Sequence, residues 1–258
     1  MYIDCKNSQI HYTVDGKGES IVLLHGFLET TAMWNHLIPK FSKTHQVICI
    51  DLLGHGKTGC LGYIHTMEEM AEAVFSVLNH LNIVSANFVG HSMGGYVALA
   101  LAEKHPDLFT SLCLMNSTFE ADDENKKALR TRANKMAQTN FINLVRMSFE
   151  NLFAVESKIK FKNEFSEALQ IALQIPVQGY IAASEGMKVR PDRFEVFKHL
   201  DAKKLVIIGK KDTLINGNRL ISKVKSTPID YVEFSEGHMS HIENKSELTD
   251  ILIQLIEK

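Results

Sequence analysis

The chain is short of the features that mark disulfide-stapled, fibrous or membrane-spanning proteins. Its 258 residues include four cysteines, five prolines and one tryptophan. Cys5, Cys49, Cys60 and Cys113 lie far apart with no C-x-x-C pair, which removes the usual metal-ribbon and dithiol spacings. Cys49 and Cys113 sit inside apolar runs and read as buried free thiols. The longest unbroken apolar stretch, Tyr96–Ala102, is far too short to cross a bilayer, so no membrane association is expected. Neither sign of charge dominates: 28 Lys and Arg face 30 Asp and Glu, a net −2. Without a basic stripe, nucleic acid is not an expected partner. The first residues show neither a charged leader region nor an apolar core, which sets a cytoplasmic expectation. Internal repeats, low-complexity tracts and flexible linkers are also missing.

What is present is an ordinary globular composition, 45% hydrophobic and 22% charged, enough for a sizeable core. Short apolar runs alternate with helical patterns. Gln9–Val14, Ile21–Leu24, Gln46–Ile50, Ala86–Val89, Leu112–Met115, Leu205–Ile208 and Tyr231–Phe234 read as strands. Trp34–Phe41 reads as a short helix. Thr66-Met67-Glu68-Glu69 matches a capping box ahead of apolar residues at helical spacing from Met70 to Leu81. Ser92–Lys104 and Ser246–Ile256 are further helices. This alternation predicts an α/β fold, a mainly parallel sheet with helices on both faces. It breaks between about 118 and 190, where Glu124–Gln138, Phe141–Phe153 and Phe161–Ile175 are helix-like and no strand is visible. The expected organisation is therefore a core of residues 1–117 and 191–258 with a helical lid, 118–190, inserted between two strands.

Residues 90–95, Gly-His-Ser-Met-Gly-Gly, stand between a predicted strand and a predicted helix. A G-x-S-x-G turn in that setting lifts the serine hydroxyl out of the sheet, at a helix N-terminus where free N–H groups favour developing negative charge. Ser92 is the nucleophile candidate. A serine needs a base, and the base needs an orienting group. Asp212 follows the run Leu205–Ile208, and His238 follows Tyr231–Phe234, so both emerge at strand carboxyl ends, where open α/β sheets place their sites. The order Ser92, Asp212, His238 matches that of α/β-hydrolases.

Competing residues are weaker. Asp201 precedes its strand and Asp230 opens one at the opposite edge. His238 and His241 have H-x-x-H spacing, but no helix-borne Glu or third ligand accompanies them, so no metal and no cofactor is expected. His25, His55 and His91 read as loop residues that shape the site. After Ile21–Leu24, the turn His25-Gly26 would point the backbone N–H of Phe27 inward, opposite that of Met93. Together they form a candidate oxyanion hole.

Taken in sequence, His25-Gly26-Phe27, Asp51–Gly56, Gly90–Gly95, Gly209–Asp212 and Gly237-His238 resemble the α/β-hydrolase superfamily over nearly the whole chain. The resemblance implies a mostly parallel eight-stranded sheet, a helical cap after the sixth strand and a cofactor-free Ser–Asp–His mechanism. It implies a structural role for Asp51–Gly56. A serine at 92 separates the chain from haloalkane dehalogenases and epoxide hydrolases, which use a carboxylate nucleophile. A menaquinone-pathway enzyme that eliminates pyruvate shares the motif set, but its elbow is followed by an arginine where this chain has Tyr96; Arg130, Arg132 and Arg146 in the lid are the available substitutes. The expected activity is esterase-like, on carboxylic esters or thioesters of a small, largely apolar molecule. Lactonase, C–C bond hydrolase, perhydrolase and small-molecule receptor stay open as alternatives.

Overall fold

The computed structural model describes residues 1–257. Eight strands, β1 (Tyr2–Cys5), β2 (Ser8–Asp15), β3 (Glu19–Leu24), β4 (His45–Ile50), β5 (Ala86–His91), β6 (Phe109–Met115), β7 (Lys203–Gly209) and β8 (Asp230–Phe234), form one sheet in the order β1-β2-β4-β3-β5-β6-β7-β8. β1–β2 and β2–β4 pair antiparallel, and every other neighbour pairs parallel. The sequence predicts seven of these strands. β1 is missed because its residues alternate between exposed and half-buried, leaving no apolar run to read.

The helices are α1 (Ile38–Phe41), α2 (Met67–His80), α3 (Met93–Lys104), α4 (Glu124–Glu150), α5 (Ser157–Lys160), α6 (Lys162–Ala172), α7 (Val177–Val189), α8 (Phe194–His199), α9 (Gly217–Val224), α10 (Ser240–Glu243) and α11 (Lys245–Glu257). Successive strand residues face opposite sides of a pleated sheet. Val22 and Leu24 pack with α2 and α3 on one face, while Ile21 and Leu23 pack with Trp34 and α11 on the other. α11 buries Leu248, Leu252 and Ile256, one stripe at four-residue spacing. α2 starts at the predicted capping box, with Thr66 and Glu69 each accepting from the other's backbone N–H.

Three local expectations change. The predicted helix Trp34–Phe41 is two pieces, a 3-10 turn at Thr31–Trp34 and then α1, because Pro39 opens a new helical start rather than continuing the old one. The predicted gap between Gln138 and Phe141 is a break inside α4, where Asn140 leaves helical geometry at φ −146°, ψ 51°. α7 has no counterpart in the reading, since Gly179 and Gly186 dilute its helical signal. α4–α8 all lie between β6 and β7. Apolar residues of α4, α6 and the start of α7, with Leu28 and Met239, make a third cluster over the sheet's carboxyl edge. No helix among the described residues is long and apolar enough to cross a membrane.

Candidate active site

Ser92 links β5 to α3 with φ 48°, ψ −113°, a left-handed conformation that costs a non-glycine residue of order 1–3 kcal/mol. Three hydrogen bonds hold it there. Its N–H donates to the Met115 carbonyl (2.9 Å), and its own carbonyl accepts from the Gly95 N–H (3.0 Å) and the Ser117 hydroxyl (2.6 Å). The turn is tight enough that a Cβ on Gly94 would lie 2.2 Å from the Leu24 carbonyl oxygen, so the second glycine of the motif is sterically required.

β7 and β8 pair with Gly209 opposite Phe234, which sets the following loops side by side. Asp212 and His238 meet there: His238 Nδ1 donates to Asp212 Oδ2 over 2.7 Å. The other carboxylate oxygen accepts from the Leu214 and Ile215 N–H groups (2.8 and 3.1 Å). Burial opposes ionisation of Asp212, yet the His238 imidazole and those two N–H donors hold its carboxyl below the usual range. With the Nδ1 proton committed to Asp212, the tautomer assigned by this bonding leaves the His238 Nε2 lone pair free. Asn116, unremarked in the sequence, donates its amide to both Asp212 Oδ2 (3.3 Å) and the Gly237 carbonyl (3.1 Å), tying the two loops together.

Ser92 and His238 line a single cavity of about 300 Å³ with Phe27, Tyr96 and a mainly apolar wall that includes Leu28, Leu152, Met187, Ile215 and Met239. Among the described residues, the backbone N–H groups of Phe27 and Met93 have no protein acceptor. Of Arg130, Arg132 and Arg146, only Arg130 reaches this cavity; Arg132 and Arg146 are exposed elsewhere. Asp201 and Asp230 are exposed and take no part.

A second carboxylate–imidazole pair lies behind Ser92. Glu29 Oε2 accepts from the Gly26 N–H (2.7 Å) and from His91 Nδ1 (2.6 Å). His91 Nε2 donates to the backbone carbonyl of His238 (2.9 Å). Both His91 nitrogens therefore face acceptors, so the ring is an imidazolium. Burial works against both charges, but each stabilises the other: the His91 pKa is raised, and that of Glu29 is held down to about 2. A Cβ on Gly26 would sit 2.5 Å from Glu29 Oε2 and 2.7 Å from His91 Nδ1, so glycine is needed there for close approach. The pair connects the turn carrying Phe27, the residue before Ser92 and the backbone of His238. Nothing in the sequence pairs residue 29 with residue 91.

His25 is neutral, donating from Nδ1 to the Gly26 carbonyl (2.7 Å) and accepting the Leu52 N–H on Nε2 (2.9 Å). Asp51 accepts from the Thr31 and Lys57 N–H groups and meets His11, a structural arrangement for its loop. Glu29, His91 and His241 offer ligand atoms within 4.8 Å of one another. His91 has no lone pair to give while both nitrogens are protonated, so this trio functions as an ion pair beside a neutral His241, whose pKa burial pushes down to about 3. A metal would have to displace the His91 proton.

Residues 19–245 match the family model for the alpha/beta hydrolase fold. The chain is 29% identical over 132 residues to (E)-2-((N-methylformamido)methylene)succinate hydrolase of Acinetobacter baylyi, a match covering 51% of this chain and only 50% of that protein. It is 26% identical over 225 residues to 3-oxoadipate enol-lactonase 1 of the same species, covering 85% and 81% respectively. A malate-bound thermophilic esterase from Thermogutta terrifontis superposes with TM-score 0.89 at 25% identity, over 96% of this chain and 92% of that one. With a matched segment spanning most of its length and a sheet of the expected order, the chain belongs to the alpha/beta hydrolase fold family.

Proposed function

We propose that the chain is a serine ester hydrolase acting on a small, largely apolar molecule, with Ser92 as nucleophile, His238 as base and Asp212 as the group that orients it. Ser92 Oγ attacks the substrate carbonyl as its proton passes to His238 Nε2. The C–O bond then breaks, and the leaving alcohol takes that proton. Water, activated by the same histidine, attacks the acyl-enzyme and releases the acid. The N–H groups of Phe27 and Met93 receive the oxyanion, each worth about 3–4 kcal/mol in the transition state. Residues 118–190 are the lid over the core formed by 1–117 and 191–258, and they exclude water from the cavity.

The observation that carries this reading is the convergence on one cavity of a serine on a strained strand–helix turn and a histidine whose Nδ1 is committed to a buried carboxylate. The names of the relatives support it: a lactone is a cyclic ester, so enol-lactonase and esterase share one bond chemistry. A fluorophosphonate probe is expected to label Ser92, with steady turnover of p-nitrophenyl hexanoate. Ser92→Ala is expected to abolish labelling and cut kcat by about 10⁴–10⁶. Labelling that persists in the alanine variant would overturn the assignment, and a single stoichiometric burst would favour a receptor.

A further inference from the structure

The cavity over Ser92 is mainly apolar, but Asp122, Lys126 and Arg130 also line it. Asp122, almost fully buried, pairs with Arg130 Nε (2.5 Å) and with Arg190 Nη2 (2.9 Å). Arg190 is buried, donates also to the Met187 carbonyl (2.7 Å) and lies 4.0 Å over the Tyr96 ring, away from the cavity lining. Arg130 is different. Its side chain is 23% exposed, it lines the cavity, and among the described residues its two terminal nitrogens have no protein acceptor. Lys126 lies one helical turn earlier on α4, so it shares the same face, and its ammonium has only a 3.4 Å contact to the Leu214 carbonyl. The Tyr180 ring is in the same wall. Arg130 and Arg190 share the single carboxylate of Asp122, and Lys126 and Arg130 both line the cavity. Behind His238 the charge is negative, on Asp212.

Resting on the ester-hydrolase reading above, we propose that the substrate carries a carboxylate remote from its scissile ester, and that Arg130 and Lys126 bind it. A guanidinium with its Nε already fixed by Asp122 is pre-oriented, so its remaining N–H groups can meet a carboxylate without first losing rotational freedom. The polarity of the cavity aligns such a molecule in one sense, with the anion at the α4 end, the apolar chain along Leu28 and Met187, and the carbonyl at Ser92. The N-terminus of α4, which would otherwise attract phosphate, is occupied by the Asp123 carboxylate on the Lys126 N–H (2.8 Å).

The test compares mono-p-nitrophenyl adipate with neutral p-nitrophenyl hexanoate. The wild-type protein is expected to prefer the hemiester at least tenfold in kcat/KM, through KM. Arg130→Gln is expected to reduce the hemiester-to-hexanoate ratio at least tenfold, Arg130→Lys to restore part of it, and Lys126→Gln to lower it several-fold. Lys126 is exposed, so that variant stays informative if Arg130→Gln does not fold. Calorimetric titration of Ser92→Ala with disodium adipate tests the subsite without turnover, with sodium phosphate as the control anion. Adipate binding lost in Lys126→Gln supports the subsite even if Ser92 proves unreactive, a result that would sink only the hydrolase reading. Equal use of both esters by the wild type, or equal loss on both in the variants, overturns the subsite while leaving Ser92 labelling intact. Phosphate binding more tightly than adipate overturns the choice of a carboxylate.

Discussion

Two buried carboxylate–imidazole pairs flank Ser92, with nearly the same hydrogen-bond length and opposite behaviour. In Asp212–His238 the bond is 2.7 Å, and in Glu29–His91 it is 2.6 Å. The difference lies at the far nitrogen. His91 Nε2 faces the His238 carbonyl, an acceptor that demands a proton, so the ring is locked as a cation. His238 lines the open cavity, and its Nε2 meets no carbonyl that would demand one. A carboxylate partner does not by itself make a histidine a base; what faces the second nitrogen decides whether the proton can come and go.

The largest expected effect breaks the first pair. Asp212→Asn keeps an oxygen for the Leu214 and Ile215 N–H groups but turns an N–H donor toward His238, forcing the wrong tautomer. The expected cost is about 10⁴ in kcat with little loss of stability. Urea denaturation beside steady-state kinetics checks it; a loss of only a few-fold would remove Asp212 from its role.

Breaking the second pair should give the reverse profile. Glu29→Ala leaves a buried imidazolium without its counter-ion, for which about 3–5 kcal/mol of stability is expected to go. The accompanying loss of activity should be well below that of Asp212→Asn, because the damage reaches His238 and Phe27 only through their backbone. If the two variants proved alike in both measurements, the distinction between the pairs would collapse.

Acidity offers a sharper comparison. The Glu29 carboxyl has its pKa depressed, so its contribution is present above its unfolded value of about 4.5 and is lost as pH falls toward about 2. The His91 pKa is raised, so its contribution is complete below about 6.5 and is lost as pH rises through the folded value. The stability gap between the wild type and Glu29→Gln should therefore be widest between about pH 4.5 and 6.5 and narrow toward pH 9. A gap that widened with rising pH would mean that His91 is not the charged partner.

The smallest effect is expected at His241. It is neutral, makes no hydrogen bond through Nδ1 and lies outside the cavity over Ser92. His241→Asn should cost a small fraction of what His238→Ala does, and a chelator should leave turnover unaltered. Equal losses from the two histidine variants would exchange their roles.

The sequence makes the first pair legible and hides the second for a physical reason. Asp212 and His238 each follow a visible apolar strand, so a reader who can place strand ends can place both side chains. Glu29 sits in a turn, and its partner is 62 residues away, brought close only because β3 and β5 are neighbours in the sheet. Asn116 is hidden for the same reason, linking loops after β6, β7 and β8 that no local pattern connects. Among the helices, strong periodicity and a capping box reveal α2, whereas α7 with its internal glycines depends on packing that only the folded chain supplies. The Asp122–Arg130–Arg190 cluster is equally invisible, since it gathers one residue before α4, one within α4 and one at the end of α7.

The parallel ladder between β3 and β5 pairs Leu23 with Val89 and Leu24 with Gly90. Phe27 and Met93 each lie three residues beyond the last of those pairs. The spacing of their two N–H groups is thus ruled by the ladder and by equal counts of residues past it, not by any side chain. Point substitutions at Phe27 or Met93 can reshape the cavity while leaving that gauge intact. A single residue inserted after Leu24 or after Gly90 would throw the two N–H groups out of step, although the helices between β6 and β7, far along the chain, can lengthen or shorten without touching them.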